Sequence, residues 1–173
     1  MHARILWHRL IDGTDALSCV DAVPSGAAPP RWCILPPAGR LVVRRSVERY
    51  CNAALPLLRL PQWSVKIAAD IPADDSWADI EVSTNLWLAT IRISDDFFRQ
   101  EPELQRRIVA HELLHIHNAP LERLIQSLDG VLGSQAYEML DHLWDAEGER
   151  IAEALSFVVA ERLPLPKFRN DAK

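Results

Sequence analysis

The sequence predicts an α+β fold with a small, mainly antiparallel sheet beside a buried helix. Three observations carry this. A helical apolar stripe (Leu41, Val43, Val47, Tyr50, Ala54) marks a helix from about Leu41 to Leu55, stopped by Pro56. Three short segments then alternate apolar and polar residues, as half-buried strands do. Two long helical patterns fill the rest of the chain.

The strand segments are Ser64–Ala68, with Val65 and Ile67 on one face, Ala78–Ser83, with Ile80 and Val82, and Leu88–Ser94, with Ala89, Ile91 and Ile93. Thr84-Asn85 has turn chemistry, so the last two are expected to pair as a hairpin. Glu101-Pro102-Glu103 places a proline and acids where a helix start favours them, and Asn118-Ala119-Pro120 is the expected stop. Leu104, Ile108, His111 and His115 share one face of this helix, and Val109, Leu113 and Ile116 another, which describes a helix buried on two sides. A separate helix is expected over Leu121–Leu128. A final one is expected from Ser134 to Leu163, stopped by Pro164 and Pro166, with Trp144, Ile151, Leu155 and Val158 as its core-facing stripe.

Residues 1–40 stand apart, with five prolines between Pro24 and Pro37 and Ser25-Gly26-Ala27-Ala28 among them, a composition that sustains neither helix nor central strand. The organisation read from the chain is therefore a Pro-rich extension over 1–40, with a short strand at Ile5–Leu10, one domain over 41–166 and a tail over 167–173. At 173 residues, 49% hydrophobic and 25% charged, the chain can build one core. No apolar run is long enough to span a bilayer, and Ile5-Leu6-Trp7 is too short for a signal peptide. Cys19, Cys33 and Cys51 are odd in number and lack Cys-x-x-Cys spacing, which fits reduced thiols and a cytoplasmic location. Residues 1–60 carry a balance of +4 and residues 61–173 one of −9. An acidic main body speaks against nucleic acid as the main partner, and no membrane partner is expected.

The chemistry lies in His111-Glu112-Leu113-Leu114-His115. Histidines four residues apart project from one face of a helix, and two imidazoles can hold one zinc ion. A carboxylate just after the first histidine can accept a proton from a water that the metal has acidified, so Glu112 is the expected general base. The alternative is a buried helix with two core histidines, but unpartnered rings in an apolar interior are costly. A catalytic zinc needs a third protein ligand. The final helix offers Asp145, Glu147, Glu149, Glu153 and His142, of which Glu149 and Glu153 share a face. The same acids could form only a solvated face. His142, two turns before Glu149, could replace it as ligand or stabilise an oxyanion, with Tyr137 a weaker oxyanion donor. His117 points nearly opposite to His115 and reads as a helix C-terminal histidine.

His111-Glu112-Leu113-Leu114-His115 followed by Glu149-Arg150-Ile151-Ala152-Glu153 resembles the gluzincin class of metallopeptidases, and within it the small metallopeptidases of phages and prophages. A looser resemblance is to the peptidases that cleave phage-type repressors. The likeness spans about Arg45 to Pro164, and its first motif is the specific part. It implies a minimal zincin-like fold whose long final helix supplies the third ligand, with zinc held by His111, His115 and Glu149. It also implies that Glu153, which stands where the thermolysin-like pattern has Asp, supports a ligand histidine from behind. It further implies that the strand near Leu88–Ser94 is the edge on which an extended substrate lies. The expected function is hydrolysis of protein or peptide bonds. Two rivals are a regulatory or virion-associated protein using the fold for partner binding, which would not need Glu112, and a DNA-linked protease, which would need a third histidine and a basic module.

Overall fold

The computed structural model describes residues 37–72 and 75–168, so the extension before Pro37, with its expected strand and Cys19 and Cys33, and the last five residues lie outside the described residues. Helix α1 (Pro37–Ala54) is followed by strand β1 (Ser64–Ile67), strands β2 (Ala78–Ser83) and β3 (Leu88–Ile93), a short 3-10 helix (Asp95–Arg99), helix α2 (Pro102–Gln126) and helix α3 (Ser134–Ala160). The first helix, the three strands and the two long helices form near their expected places, and the fold is α+β.

Val43, Val47, Cys51 and Ala54 recur at helical spacing and form the buried stripe of α1. After Pro56 the chain turns sharply, with Arg59 at a φ of 61°. Ala89, Ile91 and Ile93 of β3 alternate with half-exposed neighbours and face the helices with Val65, Ala78 and Ile80. Arg44 of α1 donates to the Ala68 and Ile93 carbonyls, pinning the helix across the strand ends.

Strand order corrects two expectations. The sheet runs β1-β3-β2. The hairpin β2–β3 is antiparallel as expected, but β1 pairs with β3 in parallel, so the sheet is mixed rather than mainly antiparallel. Consequently β3 is the central strand and cannot be a substrate edge, since its backbone is committed on both sides. A hairpin turn is a local signal, whereas the docking of β1 on the far side of β3 is a long-range choice that strand patterns do not encode.

Helix α2 runs unbroken through Pro120 to Gln126, where a stop and a second helix were expected. Pro120 removes one backbone donor, a penalty of about 3 kcal/mol in a helix interior. Contacts beyond it hold the helix on course: Ala119 and Ile125 are buried, and Arg123 donates to Thr84 Oγ1 (3.3 Å) and Asn85 Oδ1 (2.9 Å) at the β2–β3 turn. From Ile108 to Ile116 every residue of α2 is buried, which makes it the axis of the domain.

Helix α3 turns a different face inward from the one expected. Its buried residues are Tyr137, Gly148, Ala152, Ser156 and Ala160, while Ile151, Leu155 and Val158 are exposed and Trp144 is half-exposed. Small side chains make the contact with α2. Gly148 is buried on this face, yet a Cβ added there would meet nothing within 4 Å. Beyond α3 the chain returns to the core. Arg106 donates to the Leu163 carbonyl, Tyr50 Oη donates to the Pro164 carbonyl at 2.6 Å, and Phe168 packs edge-on against Tyr50 and beside Phe97. Phe168 is thereby buried with the core. No described helix is long and apolar enough to cross a membrane.

Candidate metal centre

His111 and His115 stand one turn apart on the most buried stretch of α2, 2% and 8% exposed. Their Nε2 atoms are 3.1 Å apart. From α3, Glu149 brings one carboxylate oxygen to 3.4 Å from His111 Nε2 and the other to 3.5 Å from His115 Nε2. A tetrahedral zinc ion with bonds of about 2.0–2.1 Å would set its ligand atoms about 3.3 Å apart. The two nitrogens stand near that spacing, the Glu149 carboxylate reaches one of them with each oxygen, and with one atom taken from each residue the three lie within 4.8 Å of one another, a group that could hold a metal ion. Among the described residues no other set of His, Cys, Asp and Glu converges in this way.

Electrostatics prepare the histidines. Burial pushes His111 and His115 down to about 4, against the pull of Glu153 and Glu149 respectively, so both rings are neutral at pH 7 and keep lone pairs for a cation. Burial also raises Glu149, to about 7, with His115 opposing the rise. A carboxyl that is costly to ionise in this setting is stabilised as an anion by a bound cation.

Glu153, one turn after Glu149, lies 3.6 Å from His111 Nδ1 by its Oε2. That separation is longer than a formed hydrogen bond, but it sets an acceptor behind the ring and favours the tautomer that leaves Nε2 free. Arg107, one turn before His111, is a neighbour that sequence reasoning passed over. Its charge opposes protonation of His111, and its guanidinium lies 4.4 Å over the Phe157 ring. Its place four residues before a ligand histidine was the signal available.

Glu112 is fully enclosed, and it lies close enough to α1 for its charge to act on Cys51. Burial, with Glu112 and Glu48 adding to it, pushes the Cys51 thiol far up, so this cysteine is an inert core residue. His142 is exposed on α3, and its nearest charged effect is on Asp145; it does not join the converging group. Tyr137 is buried with its hydroxyl directed to Asp141, also apart from the group. His117 turns away as expected and donates from Nε2 to the Leu58 carbonyl at 3.0 Å.

A groove of about 370 Å³ opens beside His115. Residues Ile80 to Asn85 form one wall, and His115, Ala119, Glu122, Arg123 and Gln126 of α2 form the floor. The wall is a strand edge. Ser94 N–H donates to the Trp77 carbonyl in the same register that pairs Asp79 with Arg92 and Glu81 with Thr90, so the alternate residues Ala78, Ile80 and Val82 turn their backbone N–H and C=O groups away from β3. The opposite edge of the sheet is closed. Asn52 exchanges two hydrogen bonds with Val65, and Glu48 accepts from Ile67 N–H, so α1 side chains cap β1.

The chain matches no family model, no curated protein and no solved structure.

Proposed function

We propose that this chain is a zinc metallopeptidase of the gluzincin type, with His111, His115 and Glu149 as metal ligands and Glu112 as general base. The single observation that carries the reading is the convergence of two neutral imidazole nitrogens and the two oxygens of one carboxylate at 3.1–3.5 Å, close enough for one cation to draw them together. Zinc bound there would polarise a peptide carbonyl and acidify a water.

The remaining parts follow from the chain's own residues. Glu153 restrains the His111 ring from its far side. Glu112, adjacent in sequence to His111 and closed off from bulk solvent, would take the proton from the attacking water and pass it to the leaving amine. A substrate in extended form would add to the open edge of β2, bonding to the outward groups of Ile80 and Val82. With β3 central and β1 capped, β2 takes the role that the resemblance gave to Leu88–Ser94.

One observation favours a second reading. Glu112 is wholly enclosed and is not part of the groove lining, as suits a protein that keeps the metal for stability and acts by binding a partner. Metal content and turnover separate the two. Protein purified without added metal should carry near-equimolar zinc, and His111→Ala and His115→Ala should lose most of it. Full zinc retention in both variants would refute the metal assignment. Zinc without hydrolysis of any peptide in a proteome-derived library would favour the binding protein.

A further inference from the structure

Helix α3 turns its larger apolar side chains outward. Met139, Leu143, Ile151, Leu155 and Val158 are each 45% exposed or more, whereas its buried residues, apart from Tyr137, are small. Single exposed apolar residues are ordinary, but these recur along one side of one helix. Met139 and Leu143 stand one turn apart, as do Ile151 and Leu155, and Val158 follows Ile151 by two turns. Half-exposed Leu140 and Trp144 continue the stripe between the two groups. A continuous apolar stripe of this kind marks a surface that something covers.

Charge distinguishes the possible occupants. Helix α3 carries six acids and one arginine, and that arginine, Arg150, is tied to Glu147 at 3.1 Å. Glu147 lies on the stripe, four residues from both Leu143 and Ile151, and Asp141 and Asp145 run along its edge. A second copy of the same face would bring these acids together across the contact. A complementary sequence stands at the start of this chain. Ala3, Leu6, Trp7, Leu10 and Ile11 recur at the spacing that gives a helix one apolar face, and residues 1–11 hold Arg4 and Arg9 but no acid. Ile5–Leu10 has strand-forming residue types, but an exposed helix face to pack on rewards the helical spacing. Residues 12–36 join this segment to Pro37, where α1 begins. A tether of that length reaches up to about 80 Å, against about 40 Å for the whole of α3. It also holds the segment near α3 at an effective concentration on the order of mM, so that even a weak contact is occupied.

We infer that residues 3–11 of this chain dock on the outer face of α3. Leu6, Trp7, Leu10 and Ile11 lie against the apolar stripe, and Arg4 and Arg9 flank it toward Asp141, Asp145 and Glu147. Glu149 projects from the α2 side of the same helix, so the inference stands apart from the peptidase reading.

Photo-cross-linking in the full chain tests it. The photoreactive residue p-benzoylphenylalanine replaces Leu143 in one variant and Leu155 in another, both exposed positions that tolerate the change. Isotope-labelled and unlabelled protein are mixed, irradiated and mapped by mass spectrometry. Both positions should cross-link to residues 3–11, in peptides of unmixed isotope. Mixed isotopes would show that another copy covers the face, and links confined to other parts of the chain, or none, would leave the segment undocked. Each of these results would overturn the inference. Trp7→Ser with Leu10→Ser should lower the yield by about tenfold, and Arg4→Glu with Arg9→Glu by about fivefold at low salt. Yields unchanged in both pairs would mean proximity without docking and would overturn it as well.

Discussion

As the proposed general base Glu112 would have to meet water, yet it has no surface exposure. The two requirements agree if the carboxylate would meet only the water of a metal bound beside it. Glu112→Gln keeps the shape and should keep zinc and fold, while hydrolysis falls by about 10²-fold or more, the usual worth of a positioned base. Elemental analysis beside a peptide assay reads both, and a Gln variant with full activity would remove Glu112 from the mechanism. The third ligand is separated in the same way. Glu149→Ala should weaken zinc binding most, Glu153→Ala should cost about 10–100-fold in affinity, and His142→Ala should cost least, since it stands outside the group. A metal titration ranks them, and zinc lost with His142→Ala but kept with Glu149→Ala would make the site three histidines. Tyr50 gives a residue-scale test of the return segment. Its phenol is pushed up to about 12, chiefly by burial, and donates to the Pro164 carbonyl. The folded value lies above the unfolded value of about 10, so this contribution to stability is whole below pH 10 and is lost as pH rises through 12. Alkaline unfolding followed by circular dichroism should show that loss in the parent and not in Tyr50→Phe.

The elements show where sequence reasoning succeeds and where it stops. The His111–His115 pair and the Glu149–Glu153 pair were legible because four-residue spacing is a local property of a helix. The α2 extent was not, because Pro120 is a strong local stop signal and the contacts that override it, Ile125 and the Arg123 bonds to Thr84 and Asn85, come from elsewhere in the chain. The α3 interior was misjudged for a different reason. Hydrophobicity ranks Ile151, Leu155 and Val158 first, but α3 turns the small residues Ala152, Ser156 and Ala160 inward beside the His111, His115 and Glu149 group. Strand order, with β2 at an edge of the sheet among the described residues, depends on long-range pairing that alternation does not encode. The continuity of α2 yields a prediction. If the helix passes through position 120, Pro120→Ala restores the amide facing the Ile116 carbonyl and should stabilise the protein, by up to about 3 kcal/mol on the propensity scale. Thermal melts of the zinc-loaded protein read this. An unchanged or lowered melting temperature would mean that the chain breaks at Pro120 after all.

At the scale of the whole molecule, α3 is held differently from the rest. The core joins α1, the sheet, α2 and the return segment through large apolar side chains, whereas α3 contributes Ala160 and Val159 to that cluster. Apart from Tyr137 the buried residues of α3 are small, and a Cβ added at Gly148 would meet nothing within 4 Å. Its outer face leaves Met139, Leu143, Ile151, Leu155 and Val158 in solvent. Two links between α2 and α3 do not depend on apolar area: Arg107 over the Phe157 ring, and the His111, His115 and Glu149 group, which draws two side chains from one helix and one from the other and could hold a metal ion. Ligation should therefore act as a clasp between the helices. Binding to the folded state alone stabilises by about 4 kcal/mol when free metal exceeds the dissociation constant a thousandfold. Chelation should remove that stabilisation unevenly, loosening α3 first and the α1–sheet core last. Hydrogen exchange before and after chelation gives the map. Protection should fall along residues 137–156 while amides of β3 and of α2 from Ile108 to Ala110 keep theirs, and Glu149→Ala with metal present should reproduce the chelated pattern. A uniform loss across the whole chain would mean that α3 and the core form one cooperative unit, and that the clasp is not what holds the helix.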